Sequence, residues 1–435
     1  MTVRTTAGLY VAAAAVRLAL CTLFPGLPDL LTGRVEISTP VTSFKRLQEG
    51  LFLYNHNVSP YDGGVYHQAP LLLPLFSLLP SAPIFTYLLY IAVDLLSADA
   101  LYRIAESGEA GASARFTSPR RAKRYLFNPF TIATCLGRST TVFTTCAVLH
   151  AIAKAIAGAP LGAMVALSFA AYLSMYPLLL LPPLLLLAFD RRRPKPLSSG
   201  SVATATASSG LRFVVTYVLV VAGCLLALGG MSYGLTSGSD AGGGDGTAAA
   251  AASSSWTLFL RSTYGVQLTL SDLTPNVGLW WYFFIEMFDS FRAFFVAVFW
   301  LHLASYVGGL TLRLRTQPLV VLALLTGIFA IFKPYPSVGD TALFLALVPL
   351  FRHVFPLMRY TFVVAATIMY ATCLGPAFYH LWIYAGSGNA NFFYAITLVW
   401  SLGQSLLVSD LTFAVLRDEW EVERPEMVGK EIRQI

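Results

Sequence analysis

Apolar runs long enough to cross a bilayer recur along the whole chain, separated by short polar joints. They lie at about 7–24, 81–102, 125–157, 160–189, 211–235, 277–306, 317–333, 338–352, 357–378 and 392–416. A spanning helix needs roughly 20 such residues. The runs at 125–157 and 160–189 are longer, so each is one tilted helix or a broken pair, with Gly137-Arg138 and Tyr176-Pro177 as the points of fracture. Ten to twelve spans follow. The pattern predicts an all-α polytopic membrane protein, a single multi-span domain over 1–435. The first run is only loosely like a signal peptide. Arg17 interrupts it and no clean cleavage signature follows, so it is expected to stay as a first span.

One later run breaks unusually. The chain reads Tyr379-His-Leu-Trp-Ile-Tyr-Ala-Gly-Ser-Gly-Asn-Ala-Asn391 and then turns apolar again. Bare backbone at membrane depth is tolerated only where protein or a water-filled cavity satisfies it. Two carboxamides there supply donors and acceptors without charge, so the segment reads as a polar site at the membrane surface.

Composition agrees with the pattern. The 435 residues are 56% hydrophobic and 12% charged, with mean hydropathy +0.66, against roughly 25% charged in soluble domains. The net charge of +7 does not imply nucleic acid, because the basic runs lack the folded context of a nucleic-acid reader. Cytoplasmic loops rich in Lys and Arg account for it. If the loops at 103–124, 190–196, 313–315 and 352–359 and the tail 417–435 share one side, they hold eighteen Lys and Arg, including Arg120-Arg121-Ala-Lys123-Arg124 and Arg191-Arg192-Arg193. The opposite loops, at 25–80, 236–276, 333–340 and 379–391, hold five: Arg34, Lys45, Arg46, Arg261 and Lys333. Both termini are therefore expected to be cytoplasmic. The basic loops would also attract anionic membrane lipid, although topology alone explains them. The Gly/Ser/Ala-rich stretch 236–255 reads as a low-complexity linker in the opposite loop, and 197–209 looks similar on the basic side. Five cysteines, at 21, 135, 146, 224 and 373, form no Cys-x-x-Cys pair and read as small buried hydrophobes.

The non-cytoplasmic face gathers the unusual sequence. Its first loop, 25–80, carries Val58-Ser-Pro-Tyr-Asp-Gly-Gly-Val-Tyr-His67-Gln-Ala-Pro70, preceded by Arg34-Val-Glu-Ile-Ser and Phe44-Lys-Arg-Leu-Gln-Glu-Gly50. The others are Ser271-Asp-Leu-Thr-Pro-Asn-Val-Gly-Leu-Trp280, Phe332-Lys-Pro-Tyr-Pro-Ser-Val-Gly-Asp340 and the Gly-Ser-Gly-Asn-Ala-Asn run. Each joins Pro or Gly to Asp or Asn where a helix meets the surface, which is turn and cap chemistry. Four on one face suggest the wall of a shared cavity. Asp272, ahead of Thr274-Pro275-Asn276, reads as an N-cap before a Pro at the helix start. Glu286 is expected inside a span, as a partner for Arg292 or a neighbour, or as a pathway residue. Lys333 either snorkels to the surface or meets a phosphate. His56, Asp62 and His67 match no standard metal spacing, and no metal or other cofactor is expected. For catalysis, a thiol nucleophile would need Cys beside His, and no long loop on this face has Cys. His-Glu-x-x-His is absent, as is a phosphate-cradling Gly loop followed by Lys, and the single Gly-x-Ser-x-Gly match, Gly230–Gly234, lies inside an apolar run.

These motifs resemble one family. Asp272-Leu-Thr-Pro-Asn-Val-Gly-Leu-Trp-Trp-Tyr-Phe-Phe, Lys333-Pro-Tyr-Pro-Ser-Val-Gly-Asp340 and His380-Leu-Trp-Ile-Tyr-Ala-Gly-Ser-Gly-Asn-Ala-Asn-Phe-Phe-Tyr-Ala-Ile-Thr are similar to the PIG-U family. This is the U subunit of the glycosylphosphatidylinositol (GPI) transamidase of the endoplasmic reticulum. Ser59–Pro70 and Phe127-Asn-Pro-Phe-Thr-Ile match as well, and the likeness fails only in the linkers at 104–122 and 236–255. The resemblance implies a non-catalytic subunit of a complex that cleaves a C-terminal signal from a proprotein and joins the new end to GPI. Its implied partners are the other transamidase subunits, including the caspase-like one that carries the cysteine nucleophile, together with the GPI glycolipid and the proprotein substrate. It also implies a helical layout similar to that of polytopic dolichyl-phosphate-sugar glycosyltransferases, and recognition of the GPI lipid or the attachment signal. Asn389 and Asn391 then sit where the polar run would meet the GPI head. Ser387, Tyr384, Lys333, Asp272 and Asn276 are the further candidate contacts. The alternative is a lumenal glycosyltransferase, but the acidic residues of the first lumenal loop, Glu36, Glu49 and Asp62, are widely separated and unpaired.

Overall fold

Residues 3–61, 63–107, 125–192, 203–237, 257–427 and 429–430 are described by a computed structural model. The basic loop at 103–124, the linker at 236–255 and Asp62 lie wholly or largely outside them, whereas the expected linker at 197–209 is described from 203 onward and is helical there. The described residues are helical, with no strand among them. The helices are α1 (Val3–Leu23), α2 (Gly26–Thr32), α3 (Phe44–Asn55), α4 (Leu72–Ser77), α5 (Pro83–Glu106), α6 (Pro129–Leu136), α7 (Thr141–Ile156) and α8 (Pro160–Leu173). They continue with α9 (Leu181–Arg192), α10 (Ala203–Ser237), α11 (Trp280–Ile285), α12 (Asp289–Arg313), α13 (Pro318–Phe332), α14 (Val338–Leu347), α15 (Thr361–Ile383) and α16 (Ala390–Glu423).

The protein is an all-α polytopic membrane protein, and local chemistry decides where its apolar runs break. Asn128 caps α6 by accepting from the Phe130 amide at 3.0 Å, with Pro129 at the first helical position, as helix starts favour. The helix stops at Gly137, and Arg138 takes a left-handed φ of 54°, so the run 125–157 is a broken pair. The run 160–189 breaks too: Ser174 is extended, and a 3₁₀ turn at Tyr176–Leu180 leads into α9. Six described helices are long and apolar enough to cross a membrane, or seven if α1 and α2, bent by 97°, count as one. The expected ten to twelve exceeds this because α7, α8 and α13 are apolar but only 14 to 16 residues long. At 1.5 Å per residue they reach roughly 21–24 Å, short of a ~30 Å hydrocarbon core.

Two further expectations are corrected. The run 277–306 is no single span, because extended Phe288 separates α11 from α12. Glu286 is therefore an exposed helix C-cap rather than a residue inside a continuous span, and Arg292 donates instead to the Leu270 carbonyl at 2.5 Å. The late polar joint is also shorter than the sequence implies. Helix α15 runs on to Ile383, and only Tyr384–Asn389 lies between it and α16. Gly386 turns at φ 63°, and the Ser387 and Gly388 amides both donate to the Leu381 carbonyl at 3.0 Å.

Helix α13 is the central post, buried at every residue from Pro318 to Ile331 and packed by α9, α12, α14 and α16. In lipid the apolar effect does not drive helices together, so close packing and polar pairs must. Arg17 shows the second device: it meets Asp94 of α5 at 2.6 Å, and the Tyr125 hydroxyl donates to the same carboxylate at 2.9 Å. All five cysteines are free; Cys21 and Cys135 are buried, but Cys373 on α15 is exposed rather than buried as expected.

Candidate functional site

The four loop motifs meet on one face. The second motif ties to the first through Arg46, which donates to the Asp272 carboxylate at 2.8 Å and to the Val65 carbonyl at 3.2 Å. It ties to the third through Tyr335, whose hydroxyl donates to the Asp272 carbonyl at 2.7 Å, and through Trp280, whose indole donates to the Phe332 carbonyl at 2.9 Å. The Val338 amide donates to the Glu36 carbonyl at 2.9 Å, joining third to first. The Tyr282 hydroxyl donates to the Asn391 carboxamide, and Tyr394 donates to the Leu279 carbonyl at 3.3 Å, joining second to fourth.

Within this knot the candidate residues are unequal. Lys333 is 3% exposed. Its ammonium meets Asp340 at 2.6 Å and sits 4.0 Å over the Tyr176 ring, so it neither snorkels nor faces a ligand. Asp340 is itself saturated: it takes the Ser337 amide in a capping box at the start of α14 and the Tyr176 hydroxyl at 3.1 Å. Asp272 begins no helix; residues 271–276 are irregular. It accepts the Thr274 amide at 2.8 Å and the Thr274 hydroxyl at 2.5 Å. Burial alone would raise its pKa, but the Thr274 hydrogen bond and the Arg46 charge hold its carboxyl below the usual range. Asn276 is fully buried; its carboxamide accepts the Gly278 amide at 2.7 Å and donates to the Thr274 carbonyl at 3.2 Å. A Cβ on Gly278 would lie 2.5 Å from Pro336, so these two loops touch where only glycine fits.

The histidines of the first loop have separate partners. His56 hydrogen-bonds the Phe52 carbonyl at 2.7 Å, and His67 donates from Nδ1 to the Ser262 carbonyl at 2.9 Å. Among the described residues no group of three or more His, Cys, Asp or Glu is arranged to hold a metal.

The fourth motif is different. Tyr384, Ser387, Asn389 and Asn391 are all exposed. Asn389 is the N-cap of α16, accepting the Phe392 amide at 3.3 Å. In both asparagines only the carboxamide oxygen is engaged, and each amide nitrogen keeps its donors free of protein partners among the described residues. Just below, Phe393, Ile396, Thr397 and Trp400 of α16 line an apolar cavity of about 300 Å³, walled by α6 and by Ala371–Pro376 of α15. Arg34 and Glu36, paired at 3.0 Å, stand at its rim, the guanidinium 5.7 Å from the Tyr379 ring. A second apolar cavity, of about 550 Å³, shares Pro129, Phe130 and Thr372 with the first and continues along α15 to Met358 and Thr361. From Pro376 to Thr361 the two cover roughly 22 Å of helix rise. Thr372 and Trp400 were not singled out in the sequence, and Phe130 entered only within the motif Phe127-Asn-Pro-Phe-Thr-Ile. The small residues Gly375-Pro376 inside α15 were the available signal.

The described residues thus form a helical membrane protein with a polar cap on one face and two adjoining apolar cavities beneath it. Comparison makes this specific. The family described as GPI transamidase subunit PIG-U matches residues 11–400. The GPI transamidase component GAB1 of Saccharomyces cerevisiae is 37% identical over 408 residues, covering 94% of this chain and 93% of its own. The human GPI-anchor transamidase component PIGU is 35% identical over 419 residues, 91% and 90% of the two chains. A Schizosaccharomyces pombe GAB1 homolog is 32% identical over 425 residues, 94% and 93%. The chain belongs to the PIG-U family of GPI transamidase subunits.

Proposed function

We propose that this chain is a non-catalytic subunit that recognises the GPI lipid during its transfer to proproteins, with other subunits, one of them caspase-like, supplying the nucleophile. The four-motif face is lumenal in the endoplasmic reticulum membrane and both termini are cytoplasmic, the orientation that the basic loops favour. The observation that carries this reading is the pairing of free carboxamide donors at Asn389 and Asn391 with an apolar groove beginning two residues later at Phe393. The carboxamides donate to phosphate and hydroxyl oxygens of the head, Ser387 and Tyr384 flank them, and the groove takes an acyl chain. Asp272, Asn276 and Lys333 hold the face together from within and make no contact with lipid.

Replacing Asn389 and Asn391 together with Leu is expected to reduce surface display of GPI-anchored proteins while the subunits still copurify. Normal display would remove the proposal. Asn389→Ser separates two roles, because Ser keeps the N-cap but lacks the amide donors. If it restores display in the Asn391→Leu background, Asn389 is only a cap.

A further inference from the structure

On the opposite, basic side of the molecule, α9 and α10 enclose a cavity of about 400 Å³ lined by Phe189, Arg192, Arg212, Thr216 and Tyr217. It is unlike the other cavities, because two guanidiniums share it with hydroxyls. Arg192 and Arg212 are exposed and have no carboxylate partner among the described residues. At the same end Arg103 pairs with Asp99 at 2.8 Å, Arg313 with Glu419 at 3.0 Å and Arg417 with Glu421 at 2.6 Å. Arg315 and Arg352 are exposed and, like Arg192 and Arg212, without a carboxylate among the described residues; what sets Arg192 and Arg212 apart is that they share one cavity. The floor is aromatic. Phe189 and Phe213 lie 5.1 Å apart and Phe213 and Tyr217 4.6 Å apart, centroid to centroid.

The depth also matters. Arg192 ends α9 and Arg212 lies one turn inside the span Ser209–Thr236. The span itself is open to its surroundings: only 11% of its apolar window is buried inside the protein. The cavity thus sits where an apolar helix surface passes into the headgroup layer, the depth of lipid phosphates.

We propose that this cavity binds the phosphate headgroup of an anionic phospholipid of the basic-side leaflet, with Arg192 and Arg212 on the phosphate and Phe213 and Tyr217 against the glycerol and upper acyl chain. Two convergent guanidiniums match phosphate oxygens, and neighbouring hydroxyls complete the donor set. The site is separate from the GPI face and does not depend on the reading given to it.

The test uses the full chain in its complex, reconstituted in nanodiscs of phosphatidylcholine with a minor fraction of phosphatidylserine or phosphatidylinositol. Lipid retained after extraction is counted by native mass spectrometry. The wild type is expected to enrich both anionic lipids over phosphatidylcholine. Arg192→Gln and Arg212→Gln should each reduce the enrichment about fivefold, the scale for one basic side chain near an anionic surface. Inorganic phosphate and soluble inositol phosphate at millimolar concentration should compete weakly if the acyl portion contributes; full displacement by either would reassign the site to a free phosphate compound. Equal retention of anionic and zwitterionic lipid by the wild type overturns the proposal, as does unchanged enrichment in the double variant. Arg192→Lys with Arg212→Lys keeps the charge and should retain part of the enrichment, which a purely structural role for the arginines would not give.

Discussion

Two parts of the polar cap use the same vocabulary of Pro, Gly, Asn and Asp to opposite ends. In the knot, the side chains of Lys333, Asp340, Asp272 and Asn276 are buried or half-buried and engaged in internal hydrogen bonds. In the joint Tyr384–Asn389, with Asn391 just beyond it, the side chains are exposed and the amide donors remain unused. On the function proposed above, the difference separates scaffold from site. Charge is held where it can be neutralised at once, and neutral donors are displayed where the proposed ligand would be gripped without a large desolvation cost. Lys333, the one Lys or Arg in the polar-cap motifs of the last third, is on the scaffold side of that proposed division.

The largest test of that division is Lys333→Met. It leaves Asp340 buried beside Tyr176 with its Ser337 contacts but no counter-charge. Breaking one partner of a buried pair typically costs about 3–5 kcal/mol. The chain is expected to lose thermal stability in detergent and to fall in abundance, whereas Asn391→Leu changes neither. Adding Asp340→Asn, which keeps a capping oxygen, should recover part of the loss. A Lys333→Met chain as stable as the wild type, but defective in GPI attachment, would move Lys333 from scaffold to site.

Gly278→Ala probes the same knot without touching charge. The added methyl would lie 2.5 Å from Pro336 and 2.7 Å from the Asn276 carboxamide oxygen, so one loop must move. Overpacking of this kind costs about 1–3 kcal/mol. A lowered melting temperature with the GPI-anchored display retained in proportion to folded protein is the expected outcome. Unchanged stability would show that the second and third motifs are not locked together.

How much of this was legible in the sequence follows from the physics of each element. Helix breaks at Gly137-Arg138 and Tyr176-Pro177 were visible because glycine and proline act locally. The break at Phe288 was not, because nothing in Phe283-Phe-Ile-Glu-Met-Phe-Asp289 forbids a helix; extended Phe288 there is a tertiary choice. The convergence of the four motifs was legible once charge set the topology. Which of them were saturated was not, since the partners of Lys333 and Asp272 lie on other segments: Tyr176 comes from the break before α9, and Arg46 from α3. The groove was hidden for a related reason. Phe130, Thr372 and Trp400 read as ordinary span residues, and only the packing of α6 against α15 and α16 leaves space between them.

The finest test concerns His67, which lies 3.9 Å from the Asp272 carboxylate yet is set against protonation. Burial is the larger cause and the Arg46 charge the next; together they outweigh the Ser262 carbonyl and Asp272 and lower its pKa from 6.5. A base with a depressed pKa stabilises the fold above its unfolded value and loses that contribution as pH falls, because the unfolded chain then binds the proton more readily. Stability of the wild type should therefore decline as pH is lowered from 6.5 toward the folded value, before Asp272, also depressed, begins to titrate at still lower pH. His67→Gln should flatten the first part of that curve and leave the second. If the slope below pH 6.5 survives the substitution, a different group is responsible, and the first and second motifs are not coupled through His67. If instead stability rises as pH is lowered, the Asp272 carboxylate outweighs burial, and the knot is a charged pair waiting to form rather than a saturated one.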